Sequence, residues 1–152
     1  MESDITFGKH FINGPIDFNI AAKLINKINT IDQIGAHSIF LGQVRADENR
    51  IFPYKKKSNV ESIYYTAYKK MATTEIKRII EKNSRKFGLN NLCILHSLGK
   101  VNTGGISILI IASSSHRKSC ISSIKYIVDE FKRTVPIWKK ERYEDGSYRW
   151  VE

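Results

Sequence analysis

Three stretches of this chain repeat apolar residues at helical spacing, and strand-like stretches fall between them without strict β-α-β alternation. That order points to an α+β fold with a largely antiparallel sheet. The first helix opens at Pro15-Ile16-Asp17 and presents Ile20, Ala21, Leu24, Ile25 and Ile28 on one face. The second is expected over residues 69–87, with Met71, Ile76, Ile79, Ile80 and Phe87 as its buried stripe and Gly88 as its stop. The third follows Ser114-Ser115-His116, keeps its period through Cys120, Ile121, Ile124, Ile127, Val128 and Phe131, and must end before Pro136. Strands are expected at 4–12, 35–44, 60–68, 92–98, 105–113, 137–142 and 148–151. A hairpin is expected through residues 99–105, and Asp145-Gly146 supplies a turn. Residues 46–58 are polar, with Pro53 and Lys55-Lys56-Lys57, and read as an exposed, mobile loop.

Composition adds one strong constraint. Twenty-five Lys and Arg against fifteen Asp and Glu leave a formal charge of +10, so the natural partner is anionic. Nucleic acid, an acidic protein and a phosphorylated small molecule all satisfy that charge, and a lysine-rich bias without functional meaning fits it equally. The chain of 152 residues reads as one domain, long enough to bury a core without a metal or disulfide staple. No apolar run approaches the ~20 residues of a membrane span. Met1-Glu2-Ser3-Asp4 is not the start of a secretory signal, and Cys93 and Cys120 have no motif spacing. Together these place the chain in a reducing compartment, the cytoplasm.

Three segments carry residues that core packing does not explain. In Phe40-Leu41-Gly42-Gln43-Val44-Arg45 a strand ends on a guanidinium, and Gly42 leaves room for a close approach. Taken alone, Arg45 is better read as a surface arginine after a core strand. Ser113-Ser114-Ser115-His116-Arg117 joins a strand to a helix start. It reads either as a phosphate or carboxylate site or as an N-cap cluster with a solvated His-Arg pair. In residues 132–141, Lys132 falls at a helix C-terminus, where the dipole favours any cation. Lys139 and Lys140 are adjacent in a strand and must point to opposite faces, so at least one can point inward. A lysine held beside other cations has a lowered pKa and can serve as a base or nucleophile at neutral pH. Trp138 reads as a core anchor.

Phosphate-loop and dinucleotide fingerprints are missing. His10, His37, His96 and His116 are scattered without metal spacing, and no Gly-x-Ser-x-Gly elbow occurs. An enzyme built on this sequence works with cations and a histidine on an anionic substrate.

The three segments, in this order, resemble the large subunit of molybdopterin synthase. The resemblance runs clearest from Gly35 to Glu152 and includes Gly35-Ala36, Tyr68-Lys69-Lys70-Met71-Ala72, His116-Arg117 and, with most weight, Pro136-Ile137-Trp138-Lys139-Lys140-Glu141. It implies an α/β-hammerhead domain with a small antiparallel β subdomain. It implies a homodimer that binds two small ubiquitin-like sulfur-carrier subunits, making a heterotetramer. The implied reaction converts cyclic pyranopterin monophosphate to molybdopterin with two sulfurs from the carrier's thiocarboxylated Gly-Gly tail. No metal or cofactor takes part, and neither nucleic acid nor membrane is a partner. Carried over by position, Lys132 and Lys139 are the catalytic candidates. Gln43, Val44, Arg45, His116, Arg117, Lys140 and Glu141 are the substrate-binding ones. The chain departs from the family at Ser97, Gly105 and Thr66, none of them in that set. Some relatives have a tail beyond the position of Glu152 that lends an arginine to the neighbouring subunit, and the resemblance implies no such contribution here. The rival reading is a basic nucleic-acid-binding module, resting on the +10 charge and interleaved Tyr and Lys.

Overall fold

A computed structural model describes residues 9–47 and 58–151. The elements run β1 (Phe11–Asn13), α1 (Phe18–Ile28), β2 (Ala36–Gln43), β3 (Val60–Ala67), α2 (Lys69–Phe87), β4 (Asn91–Asn102), β5 (Ile106–Ser114), α3 (Arg117–Thr134), β6 (Ile137–Tyr143) and β7 (Tyr148–Val151). The strands join in one mainly antiparallel sheet in the order β2-β5-β4-β3-β6-β7, and β1 pairs with β4 in parallel. The fold is therefore α+β, as the element order predicts. Most of the expected loop, including Pro53 and the triple lysine, and residues 4–8 of the first expected strand lie outside the described residues.

Alternation along β4 and β5 sorts the core into two layers. Leu92, Ile94, Ile108, Ile110 and Ala112 face α2 and α3, where Ile76, Ile79, Cys120, Ile127 and Phe131 cover them. Leu95, Leu109 and Ile111 face the other way, onto Ile20, Leu24 and Ile28 of α1. Each such side chain taken fully out of water contributes about 1.5–3 kcal/mol. A third cluster, with Val44, Val60, Tyr65, Leu98, Val101 and Tyr143, lies under the small sheet of β3, β6 and β7.

β4 is what joins the two parts. It pairs with β5 at residues 91–96, with β1 at 96–98 and with β3 at 99–102. Gly99 sits at the handover with φ +79°, a backbone conformation that only glycine adopts freely. The strand thus runs on through most of the stretch read as a hairpin connection, and the turn itself is Thr103-Gly104-Gly105.

The local signals act where expected. The Asp17 carboxylate accepts from the Asn19 N–H at 2.8 Å and caps α1. Gly88 closes α2 in the left-handed region, at φ 63° and ψ 44°. Three apolar residues sit differently from their expected places. Met71 is 59% exposed, Ile121 61% and Trp138 50%. Helical period selects a face only to within a residue, so Ala72 and Asn83 take the buried places on α2. Trp138 sits on the solvent side of β6, one residue out of phase with Ile137 and Lys139.

Candidate active site

The strand register builds the site. In β6, Ile137, Lys139 and Glu141 lie opposite Ala67, Tyr65 and Ile63 of β3, and Lys139 lies opposite Val151 of β7. These residues share the face turned toward the end of α3. A cavity of about 520 Å³ opens there, within the range of small-molecule sites. Its lining includes Gln43, Val44, Arg45, Lys132, Lys139 and Glu141, together with Tyr65, His96, Ser107 and Phe131.

Each charged group has a distinct setting. Lys139 is half-buried, and burial followed by the nearby charge of Lys132 pushes its ammonium below the ordinary lysine value, while Glu141 opposes the shift. Lys132 stands exposed in the last turn of α3. Arg45 reaches Asp47 at 2.8 Å, both largely in solvent, so its guanidinium exchanges partners at little cost. Glu141 accepts from the Tyr143 hydroxyl at 2.6 Å and lies 3.8 Å from Arg149. Val44 is 2% exposed and its backbone is clamped to the β4–β5 turn, donating to Gly105 O and accepting from Gly104 N. It shapes the wall rather than presenting a polar group.

The chain reaches this point through a break in register between Gly42 and Gln43 of β2. A Cβ on Gly42 would lie 2.3 Å from Ile108 Cγ2, so only glycine lets β2 close on β5 here. The close approach is to a neighbouring side chain.

Three expected members lie elsewhere. Lys140 projects from the opposite face of β6, with Nζ 3.9 Å from the centre of the Tyr148 ring, and lines a separate cleft with Tyr64, Lys100 and Arg142. His116 and Arg117 stand at the start of α3 and Lys132 at its end, about 22 Å apart at 1.5 Å per residue, so within one chain they share no pocket. At that helix start the Ser114 hydroxyl accepts from the Cys120 N–H and donates to His116 O, and His116 makes no side-chain cap. The capping alternative holds for Ser114 alone.

Tyr65, His96, Ser107 and Asp47 were not singled out by motif. His96 has the parity of Leu92 and Ile94, and a polar residue in phase with a buried strand face was the available signal. Tyr65 became visible only through its pairing with Lys139. Burial raises the Tyr65 phenol above its ordinary pKa, against the effect of the Ser107 hydroxyl. Among the described residues no three His, Cys, Asp or Glu side chains gather so as to hold a metal, and no helix is long and apolar enough to cross a membrane.

Comparison with known proteins adds the family. The model of the MoaE protein family matches residues 13–134. The chain belongs to this family. Curated relatives bear the same description, molybdopterin synthase catalytic subunit. The one from Dictyostelium discoideum is 41% identical over 87% of this chain and 78% of its own length, and the one from Pyrococcus abyssi 36% identical over 93% and 88%. The crystal structure of molybdopterin synthase from Staphylococcus aureus superposes with a TM-score of 0.80 at 27% identity, covering 97% of this chain and 98% of that one. A complex of subunits 1 and 2 of molybdopterin-converting factor from Helicobacter pylori shares the fold, with a TM-score of 0.77 at 22% identity over 95% and 90%. The chain is thus an enzyme of molybdopterin synthesis, as the ordered motifs imply.

Proposed function

We propose that the cavity between α3 and the small sheet is where sulfur is transferred from the thiocarboxylated tail of a small carrier subunit to cyclic pyranopterin monophosphate. The observation that carries this reading is the convergence of Lys132 and Lys139 on one cavity, with Lys139 depleted in proton affinity by burial and by its neighbour. An ammonium of lowered pKa is poised to donate a hydrogen bond, or a proton, to oxygen that gains negative charge at the acyl carbon of the thiocarboxylate. Arg45 and Gln43 stand at the mouth, on the strand end beside Asp47, and suit the substrate phosphate. On anion binding Arg45 exchanges Asp47 for phosphate, a bidentate pairing that guanidinium geometry favours.

The carrier is the counterpart of the other subunit, the one this chain does not match, in the Helicobacter pylori complex. A chain with a net charge of +10 attracts an acidic partner. A homodimer fits the separation along α3. If His116 and Arg117 act on the substrate, a second copy must bring them to the Lys139 cavity. The assembly is then a heterotetramer of two catalytic chains and two carriers.

The test mixes the protein with thiocarboxylated carrier and cyclic pyranopterin monophosphate and reads dithiolene product. Product is expected with the wild-type chain, and Lys132→Ala and Lys139→Ala are each expected to abolish most of it while the fold persists. Near-normal turnover in both variants would sink the assignment.

A further inference from the structure

The cavity is rich in groups that can only donate hydrogen bonds. Lys132, Lys139 and Arg45 have no acceptor atom, and the carboxylate of Glu141 is already engaged by Tyr143 and faces Arg149. The Asp47 carboxylate is paired with Arg45, and Gln43, Tyr65 and Ser107 offer only weakly basic oxygens, so His96 is the neutral nitrogen base of the lining. Its ring lies on β4 at the base of the cavity, edge-on to Tyr65 with centroids 5.0 Å apart and stacked on Phe131 at 5.6 Å. These contacts hold the plane of the imidazole. Nδ1 lies 2.7 Å from the Ser97 carbonyl, which only accepts, so Nδ1 bears the proton and Nε2 is left with a lone pair. Among the described residues nothing hydrogen-bonds Nε2. The ring is also kept neutral: burial, and then the charge of Lys139, hold its pKa down to about 4.

Sulfur transfer needs such a group. Once the thiocarboxylate sulfur has bonded to the pterin carbon, it is still attached to the carrier's acyl carbon. Release requires that C–S bond to break and an oxygen from water to take its place. The products are a carrier carboxylate, a pterin thiolate and two protons, and the cations of the cavity, while charged, can take neither.

We propose that His96, through Nε2, is the general base that deprotonates this water. The inference rests on the sulfur-transfer reading of the cavity. Water oxygen adds to the acyl carbon while its proton passes to Nε2. The tetrahedral intermediate collapses with loss of the pterin thiolate, which Lys139 receives as its counter-ion, and the carboxylic acid left on the carrier ionises and gives the second proton to solvent. The imidazolium then returns its proton to solvent. Bound phosphate and thiocarboxylate offset the field of Lys139, so the imidazole gains basicity when the ligands are in place.

The test uses the full chain with thiocarboxylated carrier and cyclic pyranopterin monophosphate. His96→Asn keeps an N–H toward the Ser97 carbonyl and removes the Nε2 lone pair. Dithiolene formation is expected to fall by about 100-fold or more. Carrier affinity should stay at the wild-type level. A carrier–pterin thioester should accumulate in a single turnover, visible by intact mass. Wild-type turnover in the variant, or a loss without thioester, overturns the proposal. If His96→Asn fails to fold, His96→Gln, which fills more of the ring's volume, takes the same readings. The wild-type pH profile needs no variant: kcat is expected to fall on acidification with an apparent pKa between about 4 and 6.5, and a flat profile across that range overturns the base. Failure of the underlying reading looks different, because the wild-type chain then makes no dithiolene at any pH.

Discussion

Lys139 and Lys140 are neighbours in sequence with opposite fates. One faces a half-buried cavity beside Lys132; the other lies over the Tyr148 ring on the solvent side of the sheet. Strand alternation is the whole cause, and it makes the pair a matched control. Lys139→Ala is expected to remove most dithiolene formation, and Lys140→Ala to leave the greater part of it, both read in the reconstituted assay. Gly42 is a second residue whose role is steric. Gly42→Ala puts a methyl 2.3 Å from Ile108 Cγ2 in a packed layer, a clash expected to cost about 1–3 kcal/mol in urea unfolding. Unchanged stability would mean that β2 can move away from β5 without loss.

At the scale of elements, α2 and α3 are joined by a polar device within an apolar interface. The Glu130 carboxylate, its side chain 8% exposed, lies 2.9 Å from Arg78 and from Lys82 and accepts from Asn83 Nδ2 at 2.9 Å. Burial alone would raise this carboxyl; the Asn83, Lys82 and Arg78 hydrogen bonds outweigh it and hold its pKa down to about 2. Glu130→Ala leaves Asn83 with only the Ile79 carbonyl, and is expected to cost about 1–3 kcal/mol by denaturant unfolding. The same device positions Phe131 and Lys132, which follow it on α3. A loss of stability should therefore come with loosened substrate binding, measured as a raised KM.

The molecule as a whole responds to pH in two stages, and both signs follow from lowered native pKa values. The unfolded chain binds a proton on His96 near 6.5, whereas the folded chain resists until about 4. That stabilisation, on the order of 3 kcal/mol, is complete above the unfolded value and is lost as pH falls from 6.5 toward 4. Glu130 behaves likewise lower down: its contribution is complete above 4.5 and is lost as pH falls toward 2. Urea unfolding across pH should show both stages in the wild type, and only the lower one in a folded His96→Asn variant. A single stage in the wild type would contradict the depressed imidazole. The +10 charge also acts at this scale. Association with an acidic carrier should slow steeply with added salt, seen in stopped-flow, because long-range attraction is screened beyond about 8–10 Å.

Periodicity and order of motifs were enough to read three helices, the strands around them, the antiparallel sheet and the family. These are local or sequential properties: apolar spacing, a capping Asp17, a left-handed Gly88, and the succession from Arg45 to Glu141. That one of Lys139 and Lys140 points inward was legible for the same reason, since alternation is intrinsic to a strand, and the resemblance singled out Lys139. Which residues meet was not legible. That Tyr65 lies opposite Lys139, that His96 opens into their cavity, and that Arg117 stands a helix length from Lys132 depend on register and on how β4 passes from β5 to β1 and β3. Pairing across long separations is set by the packing of the whole sheet. The sequence by itself therefore determined which cations this protein has to work with, and only the tertiary structure decided which of them share a pocket, with a neutral histidine at its base.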